Sequence, residues 1–152
     1  MRGVSFTPSR RVMKFQIVGH ACLQVEAAGK RLVVDPWILG SVYWDAWWHC
    51  PEPVHDESIF KADFIYFTHW HFDHVHPQSL ARFDKSCLVL LPKFPVSSLP
   101  DQLRGLGFTR IQEVEHGRSV ELAPGFTLTS YQIQYQDDSI CVVEADGTVL
   151  VD

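Results

Sequence analysis

The chain has 152 residues, 46% of them hydrophobic and 20% charged, with a formal net charge of −5 and a pI near 5.9. That composition fits one globular domain with a sizeable core. It excludes a nucleic-acid groove built on basic runs, because the Arg10–Arg11 pair is the densest cationic spot, and no apolar run approaches the roughly 20 residues needed to span a bilayer.

The opening stretch, MRGVSFTPSRR, lacks the apolar segment of a signal peptide. RVMKFQIV then alternates, with Val12, Lys14 and Gln16 on one side and Met13, Phe15 and Ile17 on the other. CLQVEAAGKRLVVDP reads as strand, Ala-Gly-Lys turn and strand, a period-two hairpin. The next connection, Trp37 to Ser58, holds four of the five tryptophans and no period. So many aromatics fit disorder poorly, and long structureless loops in compact domains are usually functional. We expect a packed loop that walls a site.

DFIYFT is a near-continuous apolar strand of the kind covered on both faces. PQSLARF predicts a short helix with Pro77 at its first position. SCLVLLP is another buried strand, SSLPDQLRGLG a helix capped by Ser97 or Ser98, and RIQEVE a further strand. SVELAPGFTLTSYQIQY, DSICVVEAD and TVLVD form an antiparallel meander turning at Pro124-Gly125 and Asp146-Gly147. The order predicts a mixed sheet with helices on an outer face. Cys22, Cys50, Cys87 and Cys141 are widely spaced without a C-x-x-C pair, as expected of a reduced, cytoplasmic protein.

Between the DFIYF strand and the first helix lies THWHFDHVHP, with His69, His71, His74 and His76 around Asp73. Residues two apart in extended chain share a side, so His69 and His71 can face one ion. Residues three apart in a helical turn share a face, which brings His71 near His74, and Asp73 reaches the same place from the turn. Imidazole nitrogen and carboxylate oxygen suit zinc, iron or manganese. A solvated histidine-rich turn is the bland alternative, but three histidines and an aspartate at this spacing favour a metal site. His76 lies outside the pattern, before Pro77, and is only an additional candidate. His49-Cys50 is too short a pair to make a site.

THWHFDH resembles the metal motif of the metallo-β-lactamase superfamily. GHACLQVEAAGKRLVVDPW is similar to the branch that contains L-ascorbate-6-phosphate lactonase and CMP-N-acetylneuraminate hydroxylase-like proteins, with the latter the better match to the tryptophan-rich loop and to YQDDS…GTVLVD. The resemblance runs from about Phe15 to the end. It implies an α/β (α+β) fold, the αββα sandwich, here with its first half plus a few strands: a single domain over residues 1–152, truncated at the C-terminus. It also implies that His69 and His71 hold one metal and that Asp73 and His74 hold a second, with Asp73 alternatively positioning the attacking water. His20 and Asp35 match positions near the site, where a turn histidine and a loop-fixing carboxylate are equally natural.

The chain departs from the family downstream. The only later histidine, His116, reads as an exposed turn residue. Gln134, Tyr135, Gln136, Asp137 and Asp138 are the stand-ins for the missing ligand; aspartate is the best oxygen donor among them, and a plain hairpin turn is the alternative. Asp152, after TVLV, matches the bridging aspartate.

A bound ion would bring a coordinated water towards pKa ~7. The first expectation is therefore a hydrolase, with one or two divalent ions, zinc foremost and iron or manganese as alternatives, acting on an ester, lactone, amide or phosphodiester of a small, sugar-like substrate. Trp44, Trp47, Trp48 and Trp70 suit stacking on such a substrate, and equally packing. The second is an iron-dependent hydroxylase-like oxidoreductase served by an electron-transfer partner. The third is a truncated or degenerate metal-binding domain without turnover. A small-molecule substrate, no nucleic acid, no transmembrane segment, and an oligomer or partner chain complete the expectations.

Overall fold

The computed structural model describes residues 12–134 and 137–152. Ten strands form two sheets. In the first, β1 (Lys14–Gly19), β2 (Cys22–Ala27), β3 (Lys30–Val34), β4 (Phe64–Tyr66), β5 (Leu88–Pro92) and β6 (Ile111–Val114) lie in that order. β1 to β3 are antiparallel neighbours, whereas β3 to β6 run parallel. The second sheet is antiparallel, in the order β10 (Thr148–Val151), β9 (Ser139–Ala145), β8 (Phe126–Gln132), β7 (Ser119–Ala123). The meander expected from the alternating C-terminal third is this sheet.

Two cores explain the strand sequences. Leu23, Val25, Leu32, Val34, Phe64, Tyr66 and Leu90 face across to Phe126, Leu128, Cys141 and Val143 of the second sheet. The alternate residues Val33, Ile65, Val89 and Leu91 face outward under the two helices, α1 (Pro77–Arg82) and α2 (Leu99–Gly105), and join Leu80, Phe83, Leu99, Leu103 and Phe108. β4 is thus apolar at every position because both of its faces are covered. Each fully buried Leu, Ile or Phe contributes about 1.5–3 kcal/mol. The layers run helix, sheet, sheet; among the described residues no helix lies on the outer face of the second sheet.

The wider sheet overhangs the narrower one. Register places Phe15 opposite Val25 and Ile17 opposite Leu23, so both side chains point to the inter-sheet side. Yet Phe15 is 58% and Ile17 71% exposed, while Met13 before them on the same side is buried in the inter-sheet core.

Local chemistry places the ends of each element. The β2–β3 turn runs through Ala28 (φ 51°) and Gly29 (φ 74°), the left-handed pair of a tight hairpin. Helix α1 starts at Pro77, and His76 caps it: its Nδ1 accepts from the Ser79 amide. Arg31 ties β3 to the end of the tryptophan loop, bonding Glu26 Oε1 at 2.6 Å and Ser58 Oγ at 2.7 Å. All four cysteines are free. Among the described residues no helix is long and apolar enough to cross a membrane.

Candidate metal centre

The parallel strands end on one edge of the sandwich. Asp35 follows β3, residues 67–74 follow β4, and the second sheet brings Asp138 before β9 and Asp152 after β10. Thr68 lies between them, and its carbonyl accepts from Ser139 Oγ at 2.8 Å. Ser139 Oγ and Ser130 Oγ each lie 2.8 Å from Tyr66 Oη. This buried chain of hydroxyls fixes one sheet against the other directly beneath the histidine motif.

Asp35 is buried, with a left-handed backbone (φ 44°), and its carboxylate serves three donors. Oδ1 accepts the Thr68 amide at 2.8 Å, while Oδ2 accepts the Thr68 hydroxyl at 2.7 Å and lies 2.8 Å from His74 Nδ1. His74 therefore presents Nε2 forward, 3.6 Å from Asp73 Oδ2. His69 is held in the same manner: Nδ1 lies 3.0 Å from the Thr68 hydroxyl and 3.2 Å from Asp138 Oδ1, leaving Nε2 free to face His71 Nδ1 at 2.8 Å. A carboxylate behind an imidazole is how proteins choose the tautomer of a metal-binding histidine.

His20 enters from the β1–β2 turn, where it too has a left-handed backbone (φ 49°). Its Nε2 lies 3.0 Å from Asp73 Oδ2, and its ring meets Trp37 edge-on at 5.2 Å. One donor atom each from His20, Asp73 and His74 falls within 4.8 Å of the others, a spacing that fits a single ion. His69 and His71 form a second pair of converging nitrogens. The donors are imidazole and carboxylate, which suit iron, zinc and manganese alike.

Protonation follows the same contacts. Burial lowers His74's pKa, but the Asp35 hydrogen bond and charge outweigh it and raise the value above the ordinary histidine range. His69 is lowered, first by burial and then by His74. Burial pushes Asp73 up, yet the Tyr43 hydroxyl, with His20 and His74, holds it below the usual carboxylate range. Tyr43 is itself pushed up to about 12 by burial and Asp73. Although Asp152 as a residue is exposed, its carboxyl rises to about 6, through loss of surrounding water and the Asp35 charge, with His74 pulling the other way. Its backbone pairs with Cys141 at 2.9 and 3.0 Å.

The structure thus gathers His69, His71, Asp73, His74, His20, Asp35 and Asp152 at one edge. His76 is engaged elsewhere: Nδ1 with Ser79 and Nε2, at 3.1 Å, with the Ser41 carbonyl. That cap accounts for it without an ion. Asp137 is exposed, on the wall of a cavity beside His69 and Trp70. Of the other stand-ins, Gln134 is exposed, and Tyr135 and Gln136 lie outside the described residues. His116 is half-buried rather than exposed, with its Nδ1 3.2 Å from Ser130 Oγ and its ring near Phe94.

The loop from Trp37 divides. Trp37 is buried, whereas Trp44, at 95%, and Trp47 and Trp48 are exposed, as is Trp70. Trp44 is left almost wholly in water, while Trp47 and Trp70 keep one face against Tyr43 and His71. The loop delivers a residue that spacing does not reveal: Tyr43 donates to Asp73 Oδ1 at 2.7 Å. Only the placement of so aromatic a loop beside the motif hinted at it.

The family described as a beta-lactamase superfamily domain matches residues 14–147. The cytidine monophosphate-N-acetylneuraminic acid hydroxylase of Mus musculus is 32% identical over 137 residues, which cover 84% of this chain and 24% of that protein. The chain therefore spans about a quarter of this relative's length. Among solved structures, CmlA, a diiron beta-hydroxylase from Streptomyces venezuelae, superposes with a TM-score of 0.69 at 22% identity, over 95% of this chain and 29% of that one. An isothiocyanate hydrolase from Delia radicum gut bacteria does so with a TM-score of 0.66 at 19% identity, over 85% of this chain and 57% of that one.

Proposed function

The chain belongs to the metallo-β-lactamase superfamily, in its hydroxylase-like branch, and on that premise we propose that it is the metal-binding domain of an iron-dependent oxidoreductase served by an electron-transfer partner. The observation that carries this reading is the 32% identity to the murine hydroxylase across 84% of the chain. Bound iron would supply dioxygen and electron-transfer chemistry. The chain's own residues would do the rest. His69 and His71 would hold one position, and His20, Asp73 and His74 the other, with Asp152 alongside. Asp35 and Asp138 orient His74 and His69 from behind, and the exposed Trp44, Trp47, Trp48 and Trp70 offer faces to a small, ring-containing substrate.

A hydrolytic reading has one specific observation in its favour. Asp73 Oδ2 stands between His20 Nε2, at 3.0 Å, and His74 Nε2, at 3.6 Å, where it can orient water attacking an ester, lactone, amide or phosphodiester. Elemental analysis of the purified protein, followed by dioxygen-uptake and ester-hydrolysis assays, separates the two. Iron with dioxygen-dependent turnover supports the oxidoreductase. Zinc or manganese with hydrolysis overturns it in favour of the hydrolase, and bound metal without either activity leaves a binding domain.

A further inference from the structure

We propose that Tyr43 is a positioning residue of the metal centre: its hydroxyl occupies Asp73 Oδ1 and leaves Oδ2 as the one oxygen that Asp73 offers beside His20 and His74. The inference rests on the reading of this cluster as a metal site. A carboxylate with both oxygens free can chelate an ion through two atoms or rotate between ligands. Here the two oxygens face different partners, Tyr43 Oη at 2.7 Å on one side and His20 Nε2 at 3.0 Å on the other.

The loop around Tyr43 is built for this contact. Tyr43, Trp44 and Asp45 have φ of 54°, 55° and 63°, three successive non-glycine residues in the left-handed region. Such a turn persists only where its surroundings hold it. Val42 and Trp47 close it with paired backbone hydrogen bonds of 3.1 and 3.2 Å. Ser41 donates to the Asp45 carboxylate, and Trp48 Nε1 to the Asp45 carbonyl at 3.0 Å. The Tyr43 ring lies edge-on to Trp47 at 5.0 Å and to Phe72 at 6.3 Å. Phe72 belongs to the histidine motif, so the loop tip and the motif are packed as one unit. The strained backbone aims a phenol, while Trp44 beside it is left in water.

The test is a cobalt(II) titration of the full chain, prepared metal-free, followed through the visible absorption of bound cobalt. Tyr43→Phe keeps the ring and removes only the hydroxyl. Loss of a residue that orients a ligand typically weakens metal binding about 10- to 100-fold. The expected result is a loss of that size for one ion, with an altered cobalt spectrum, and no further loss when Tyr43→Phe is added to Asp73→Asn. A Tyr43→Phe protein with the parent's affinity and spectrum overturns the proposal. So does an equal loss in the Asp73→Asn background, which would mark a general loosening of the loop. A parent protein that binds no cobalt overturns the metal reading itself, a different outcome from a parent that binds and a variant that binds equally well.

Discussion

Asp35 Oδ2 lies 2.8 Å from His74 Nδ1, and the same carboxylate holds the amide and hydroxyl of Thr68. One buried group therefore sets both the turn after β4 and the direction of His74, whose Nε2 is turned towards Asp73. Replacing Asp35 with alanine strips three donors of their acceptor. We expect a loss of about 3–5 kcal/mol, the usual cost of breaking a buried charged pair. Urea unfolding of the metal-free protein measures it, and a change under about 1 kcal/mol, the size of one ordinary hydrogen bond, would refute the assignment.

His71→Ala should lower the metal-to-chain ratio, because it removes one of the two nitrogens that face each other at 2.8 Å. The His20–Asp73–His74 position should keep its ion. Elemental analysis of parent and variant, purified identically, decides it: an unchanged ratio removes His71 from the ligand set.

Metal affinity should rise with pH. His74 has its folded pKa raised by Asp35, so its protonated form stabilises the metal-free fold below the ordinary histidine value. That contribution disappears as pH climbs through the raised pKa. A ligand nitrogen must be unprotonated, so binding displaces this proton and strengthens over the same interval. Calorimetric titrations in buffers of different ionisation enthalpy count the proton released, and none released near neutral pH would contradict the pairing.

Tyr66→Phe should destabilise the protein by about 1–2 kcal/mol while leaving metal content unchanged. The hydroxyl it removes bonds Ser130 and Ser139, at the join between the sheets, without touching the histidines. Thermal melts and elemental analysis together test both halves; metal loss equal to that of His71→Ala would show the join to be part of the site.

Much of this architecture could be read from the residues. Strand β4 is apolar throughout because two cores meet it, Pro77 starts a helix, and the spacing of His69, His71 and His74 brings imidazoles together. The division into two sheets was legible only through the family resemblance, since alternation marks a half-buried strand without saying which sheet it joins. Nor were the roles of Asp138 and Tyr43: each comes from a loop far along the chain, and only tertiary packing determines which histidine or carboxylate it meets. The cap made by His76 was not legible either, because it depends on where Ser79 and the Ser41 carbonyl fall around its two ring nitrogens.

The overhang of β1 has a practical consequence for anyone handling the protein. Phe15 and Ile17 stand in water on a face built for burial, and strand β10 ends its sheet with no neighbour on its outer edge among the described residues. Apolar side chains and open peptide groups together invite a strand from another molecule. Self-association of this chain should therefore grow with its concentration, and Ile17→Lys should raise the concentration at which light scattering first detects it.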